Sequence, residues 1–156
     1  MLAVEEPAIA AVLHDGTILL AHALKLKDGY VYPLESAQDT STIQQYAADG
    51  RRVPDSSLAS GMEGPRILFL QPMPDGRILA GRRSGIVRFL PNGQMDGGFR
   101  APPLINVSKI QIVGDKILVL HSWELHKMLF RLKQDGGVDA TFRVPDLKID
   151  DQSVSH

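Results

Sequence analysis

The residues best equipped for chemistry sit in two short stretches. "HSWELHK", His121 to Lys127, carries two imidazoles and the sole tryptophan. His121 and His126 stand five apart, which fits neither one helix face nor one strand face, so the spacing argues against a zinc pair. Trp123 offers a large amphipathic ring that can stack on a sugar or anchor a protein partner. Packing is the commoner role for such a ring, and the gap between structural units is the alternative place for it. Arginine pairs occur at Arg51-Arg52 and Arg82-Arg83. The second pair is read onto the same rim as His121, where guanidinium groups suit phosphate or carboxylate. Solvated loop charge is the competing reading. The candidate ligand-binding residues are therefore Trp123, His121, His126, Arg82 and Arg83.

Other chemistry finds no pattern. "NGQMD" (Asn92 to Asp96) and "DGGVD" (Asp135 to Asp139) place side-chain oxygens four apart. A calcium loop needs alternating oxygen ligands and a later carboxylate, so both read as structural turns. There is no nucleophile elbow, P-loop or dinucleotide fingerprint. No catalytic residue, metal site or cofactor is assigned. Basic and acidic residues nearly balance, leaving a net charge of −1. That gives no electrostatic footprint for nucleic acid or an anionic membrane. Cysteine is absent, which removes disulfides, thiolate metal sites and a cysteine nucleophile. The apolar runs are too short to span a bilayer. Glu5 and Glu6 stand where a signal peptide would carry positive charge.

The elements that position these residues recur along the chain. One turn type precedes an Ile-Leu pair: "HDGTILLA" (His14 to Ala21), "PDGRILAG" (Pro74 to Gly81) and "VGDKILVL" (Val113 to Leu120). A second is anchored on Gly50, Gly93 and Gly136, spaced by 43 residues each time. Four residues before each Gly stands Tyr46, Phe89 or Leu132. Downstream, an Asp is followed three residues later by a large apolar side chain: Asp55 with Leu58, Asp96 with Phe99, Asp139 with Phe142. Each Asp is expected to fix its turn through hydrogen bonds to the backbone. Asp-Gly and Asn-Gly between apolar runs predict primed hairpin turns, because these residues tolerate positive φ. Each unit then holds about four short strands, and no segment reads as a helix. The first unit is longer, with an extra hairpin turning at Asp28-Gly29 and a loop after Pro33. "ASGMEGP" (Ala59 to Pro65) reads as a loop between units.

A repeat of this length with four strands has the signature of a β-propeller blade. The second and third units are moreover similar to the bacterial delta-sixty repeat. "QPMPDGRILAG" with "VRFLPNGQMDGGF", and "KILVL" with "FRLKQDGGVDATF", carry the resemblance, which spans roughly Ile9 to Pro145. The first unit departs from it at "QYAAD" (Gln45 to Asp49). The resemblance implies a propeller-type fold, often in large secreted or surface proteins, and carries no catalytic residues.

The expectation is thus an all-β, single repeat domain, with approximate blades 7–58, 59–99 and 100–145 and a tail 146–156. Val144 to Ile149 are read as a start for a fourth blade. Closed propellers use about four to eight blades, and three leave open edges that invite association. The expected partner is a second copy, closing a ring of twofold symmetry, with a protein or glycan bound on the rim. The function expected is non-catalytic binding or assembly. A structural spacer and a central-channel enzyme are the alternatives, the latter needing acid–base residues at equivalent positions of several units.

Overall fold

The computed structural model describes residues 9–24, 26–27, 30–31, 40–104, 107–123 and 126–144. The chain is all-β: its described residues form three small antiparallel sheets, a separate two-stranded hairpin and one short helix. The first contains β1 (Ile9–Val12), β2 (Ile18–Leu24), β5 (Thr40–Tyr46) and β6 (Arg52–Val53), in that order. A separate hairpin of β3 (Leu26–Lys27) and β4 (Tyr30–Val31) stands between β2 and β5. The extra hairpin expected around Asp28-Gly29 is therefore present, although those two residues lie outside the described ones. So do the loop after Pro33 and the tail from residue 145. The helix α1 (Ser57–Met62) and β7 (Gly64–Pro65) follow, with β7 pairing β5. The second sheet is β8 (Ile67–Pro72), β9 (Ile78–Arg82) and β10 (Gly85–Phe89). The third is β11 (Val107–Val113), β12 (Lys116–Trp123) and β13 (His126–Leu132). Single bridges, Phe89 to Met95 and Leu132 to Val138, stand where β6 pairs with β5 in the first sheet. Each sheet is thus a three-stranded meander with a minimal fourth strand, and the first also carries β7 on β5.

The segment 57–62 corrects the expectation of a loop there. Ser56 caps it, its hydroxyl accepting from the Ala59 N–H at 3.0 Å. Ala59 and Met62, three apart on one helical face, are both buried. That burial stabilises a turn whose own propensity is weak.

The hairpin turns share one design. In 13–17, 47–51, 73–77, 90–94 and 133–137, the first N–H donates to the last carbonyl and the fourth N–H donates to the first carbonyl. The fourth residue is always Gly, with φ between 83° and 87°. The third is Asp or Asn, whose side-chain oxygen accepts from the N–H two residues on, at 2.9–3.0 Å. This is a turn closed by a left-handed glycine bulge. The expected primed turns are corrected here: only the glycine takes positive φ. Asp55, at φ 54°, is the sole non-glycine with positive φ among the described residues. Gly114-Asp115 is the variant, a two-residue turn with glycine first at φ 60°.

The core lies between consecutive sheets. One cluster joins Ala11, Leu19, Ala21 and Ile43 of the first sheet to Ile67, Leu70, Ile78 and Phe89 of the second, with Ala59 and Met62 from α1. The other joins Leu79, Ile86 and Phe99 of the second to Ile110, Ile117, Val119 and Leu132 of the third. Side chains alternate across each strand, so the second sheet buries both faces. The first strands of all three sheets meet around one depression of about 540 Å³, lined by Val12, Gln71, Pro72, Ile112 and the adjoining turns.

Candidate functional site

The sequence-derived candidates gather at one end of the sheets. Arg82 ends β9 and His121 stands near the end of β12, 39 residues apart, at equivalent registers. Arg82 pairs with Ile67 and Gly85; His121 pairs with Val107 and Met128. The first strand of both sheets is irregular beside them. Both side chains are buried, at 6% and 8% exposure. This corrects the reading of Arg82 as solvated loop charge. Its guanidinium carbon lies 5.3 Å from the centre of the Phe89 ring, and Nη2 donates to the Met62 carbonyl at 3.5 Å. Burial pulls its pKa below the ordinary arginine value. His121 meets Phe130 edge-to-face at 6.4 Å. Arg83 is exposed on the turn between β9 and β10. Trp123 and His126 pair at the end of the β12–β13 hairpin, but their side chains lie outside the described ones. Among the described residues no group of three or more His, Asp or Glu side chains is arranged to hold a metal ion.

The other end of the sheets holds a polar latch that the residue types alone did not suggest. Arg88 Nε donates to Asp96 Oδ2 at 2.7 Å, and Asp96 Oδ1 accepts from the Gly98 N–H at 3.0 Å. The Asp96 N–H donates back to the Arg88 carbonyl. The guanidinium lies over the Phe99 ring, 4.6 Å from its centre, a geometry that attracts a cation to the ring face. Arg88 Nη1 reaches the third sheet and donates to the Gln134 carbonyl. The set repeats 43 residues on. Arg131 donates to Asp139 at 2.9 Å, Asp139 accepts from Thr141, and Arg131 lies 4.7 Å from the centre of Phe142. Burial pushes the Asp96 carboxyl up, but Arg88 and the Gly98 N–H outweigh it and hold it below the usual range. Thr141, followed by Arg131, does the same for Asp139. The two aspartates do fix their turns by backbone hydrogen bonds. The arginines were missed, although they stand at one position, five before Gly93 and Gly136.

In the first unit that position is Gln45, and the apolar residue after the turn is Leu58. The latch is replaced by a contact from the Ser56 hydroxyl to Gln45 Oε1, with Ser56 also capping α1. A groove of about 730 Å³ opens there between the first and second sheets, lined by His14, Asp15, Gln45, Asp55, Ser56 and Asp75 among others. The Thr17 N–H and hydroxyl hold the Asp15 carboxyl low, and the Arg77 side chain does so for Asp75. Both remain charged acceptors near neutral pH. The groove is suited to partners that present hydrogen-bond donors.

Comparison of the chain with models of protein families, with curated proteins and with solved structures gives no match in any of the three.

Proposed function

We propose that the chain is a non-catalytic β-propeller-type module, its three sheets acting as blades, that binds a protein or glycan along its turn-bearing end. The observation that carries the reading is the convergence of the three first strands on one depression, with a core between each consecutive pair of sheets. Blades that cannot bury their faces alone stack in this way. The delta-sixty-like repeat belongs to the same proposal, because its matching positions are the turn glycines and the apolar residues of the seams. The lining of the depression supports a binding role over a channel enzyme: Val12, Leu13, Pro72, Met73 and Ile112 dominate it, and among the described residues His14 is its one titratable side chain. The groove at Gln45 is the preferred ligand site, since it opens where the latch is missing.

Amide chemical-shift mapping with pools of peptides and oligosaccharides tests this. Shifts centred on Thr17, Gln45, Ser56 and Ala59 are expected. Shifts confined to Arg83 and the β12–β13 hairpin would move the site to the opposite end. The lack of any response would favour a structural spacer.

A further inference from the structure

The second internal seam is built from two matching halves, and each half recurs at one end of the stack, only partly covered by the described residues. At the second seam, Arg88 donates to the Gln134 carbonyl and the Arg100 N–H donates to the Asp135 carbonyl at 2.8 Å. Gly136 sits so close to Arg100 and Ala101 that a Cβ there would lie 2.8 Å from their backbone atoms. Gly93 butts against Leu58 at the first seam in the same way, its Cβ position 2.5 Å from the Leu58 carbonyl oxygen. Gly50 holds the equivalent place on the first sheet, yet nothing among the described residues lies within 4 Å of its Cβ position. Beside it, Ile18 and Tyr46 are half-buried and Val12 is 62% exposed. The counterparts of Ile18 and Tyr46, namely Ile78 and Phe89 in the second sheet and Ile117 and Leu132 in the third, are covered, while Pro72 and Ile112, the counterparts of Val12, are half-buried.

The third sheet shows the other half. Its outer face carries Leu118, Leu120 and Arg131, in the registers of Leu79, Gly81 and Arg88. Phe142 and Arg143 follow where Phe99 and Arg100 stand in the second unit. Arg131 keeps its bonds to Asp139 and Thr141, but the bond that Arg88 makes to the next sheet has no counterpart there among the described residues.

We infer that the outer face of the third sheet docks onto the outer face of the first sheet of a second copy of this chain, and that the contact is reciprocated. Arg131 then donates to the Ala48 carbonyl, the Arg143 N–H donates to the Asp49 carbonyl, and Gly50 seats against residues 143–144. Both halves lie on one molecule, so no further species is needed. Two copies complete a ring of six sheets, within the four to eight that closed propellers use. The inference rests on the propeller-type reading.

The absence of cysteine makes a clean test. Asp49→Cys and Arg143→Cys are made in separate chains, mixed and oxidised. Asp135→Cys with Arg100→Cys in one chain reports the second internal seam, where the carbonyl–amide contact brings the pair within disulfide reach. Expected are an internal disulfide in the double variant and a disulfide-linked dimer from the mixture, but none from either single variant alone. Sedimentation at micromolar concentration is expected to give twice the 17.1 kDa chain mass, and Gly50→Ala is expected to return it to the monomer. An internal disulfide without the mixed one, together with a monomeric mass, overturns the inference and leaves the reading standing. Failure of the internal disulfide overturns the reading, and the inference with it.

Discussion

The seam between the second and third sheets and the seam between the first and second solve one packing problem with different chemistry. The former buries Phe99 under a guanidinium that also holds an aspartate and a carbonyl on the next sheet. The latter has Gln45 for the arginine and Leu58 for the phenylalanine, and inserts a capped helix to bury Ala59 and Met62. The first solution closes the seam at its turn-bearing end. The second covers the apolar residues but leaves a polar groove. Closure therefore depends on the Arg–Asp–Phe set, while apolar burial alone suffices to stack the sheets.

The comparison breaks most severely at the aromatic ring. Phe99→Ala removes a buried ring and should cost about 3–5 kcal/mol by chemical denaturation. Phe142→Ala, on the half-buried copy, should cost the monomer about 1 kcal/mol. Equal losses would show that the outer face is already covered. Next come the glycines, which share a φ near 86°. Gly50→Ala should cost about 1–2 kcal/mol for left-handed backbone alone. Gly93→Ala should add about 1–3 kcal/mol for the clash with Leu58, visible as the larger fall in melting temperature. Ser56→Ala, which removes both the cap and the Gln45 contact, should cost about 1 kcal/mol. A matching loss in a Gln45→Ala background would assign the effect to the cap.

Acid sharpens the contrast least. Asp96 and Asp139 have depressed pKa values in the folded chain. Their stabilisation is present above the unfolded carboxylate pKa of about 4 and is lost as pH falls through the depressed values. Asp96→Asn should flatten the fall in stability below pH ~4, measured by urea titration at several pH values.

Much of the fold was legible because the turns have strong local chemistry. Asp-Gly and Asn-Gly, set 43 residues apart at the second turn type, located strand ends correctly, and "TIQQYAAD" (Thr42 to Asp49), which its register with "IVRFLPNG" marks as strand, is strand as far as Tyr46. The turn type was not legible, since Asp tolerates positive φ and only the closed bulge shows that it does not adopt it. The helix at Ser57–Met62 was hidden because its stability comes from Met62 reaching a core built by distant strands. For the site, sequence pointed to reactive side chains. Arg82 and His121 nevertheless bury, because alternation along β9 and β12 puts them on the inward face with Ile78 and Ile117. The Arg88 latch was recorded in the repeat, but an arginine in a strand is unremarkable until its partner turns up beside it.

At the end where the uniform glycine bulges lie, Gly93 and Gly136 touch the neighbouring unit, so a lengthened loop there would wedge the sheets apart. The first sheet instead accommodates β3–β4 at its other end while β2 and β5 stay in continuous register. The molecule thus has one end intolerant of insertion and one that already carries an insert. A tag, sensor or foreign epitope belongs at Arg83-Ser84 or in the β3–β4 hairpin.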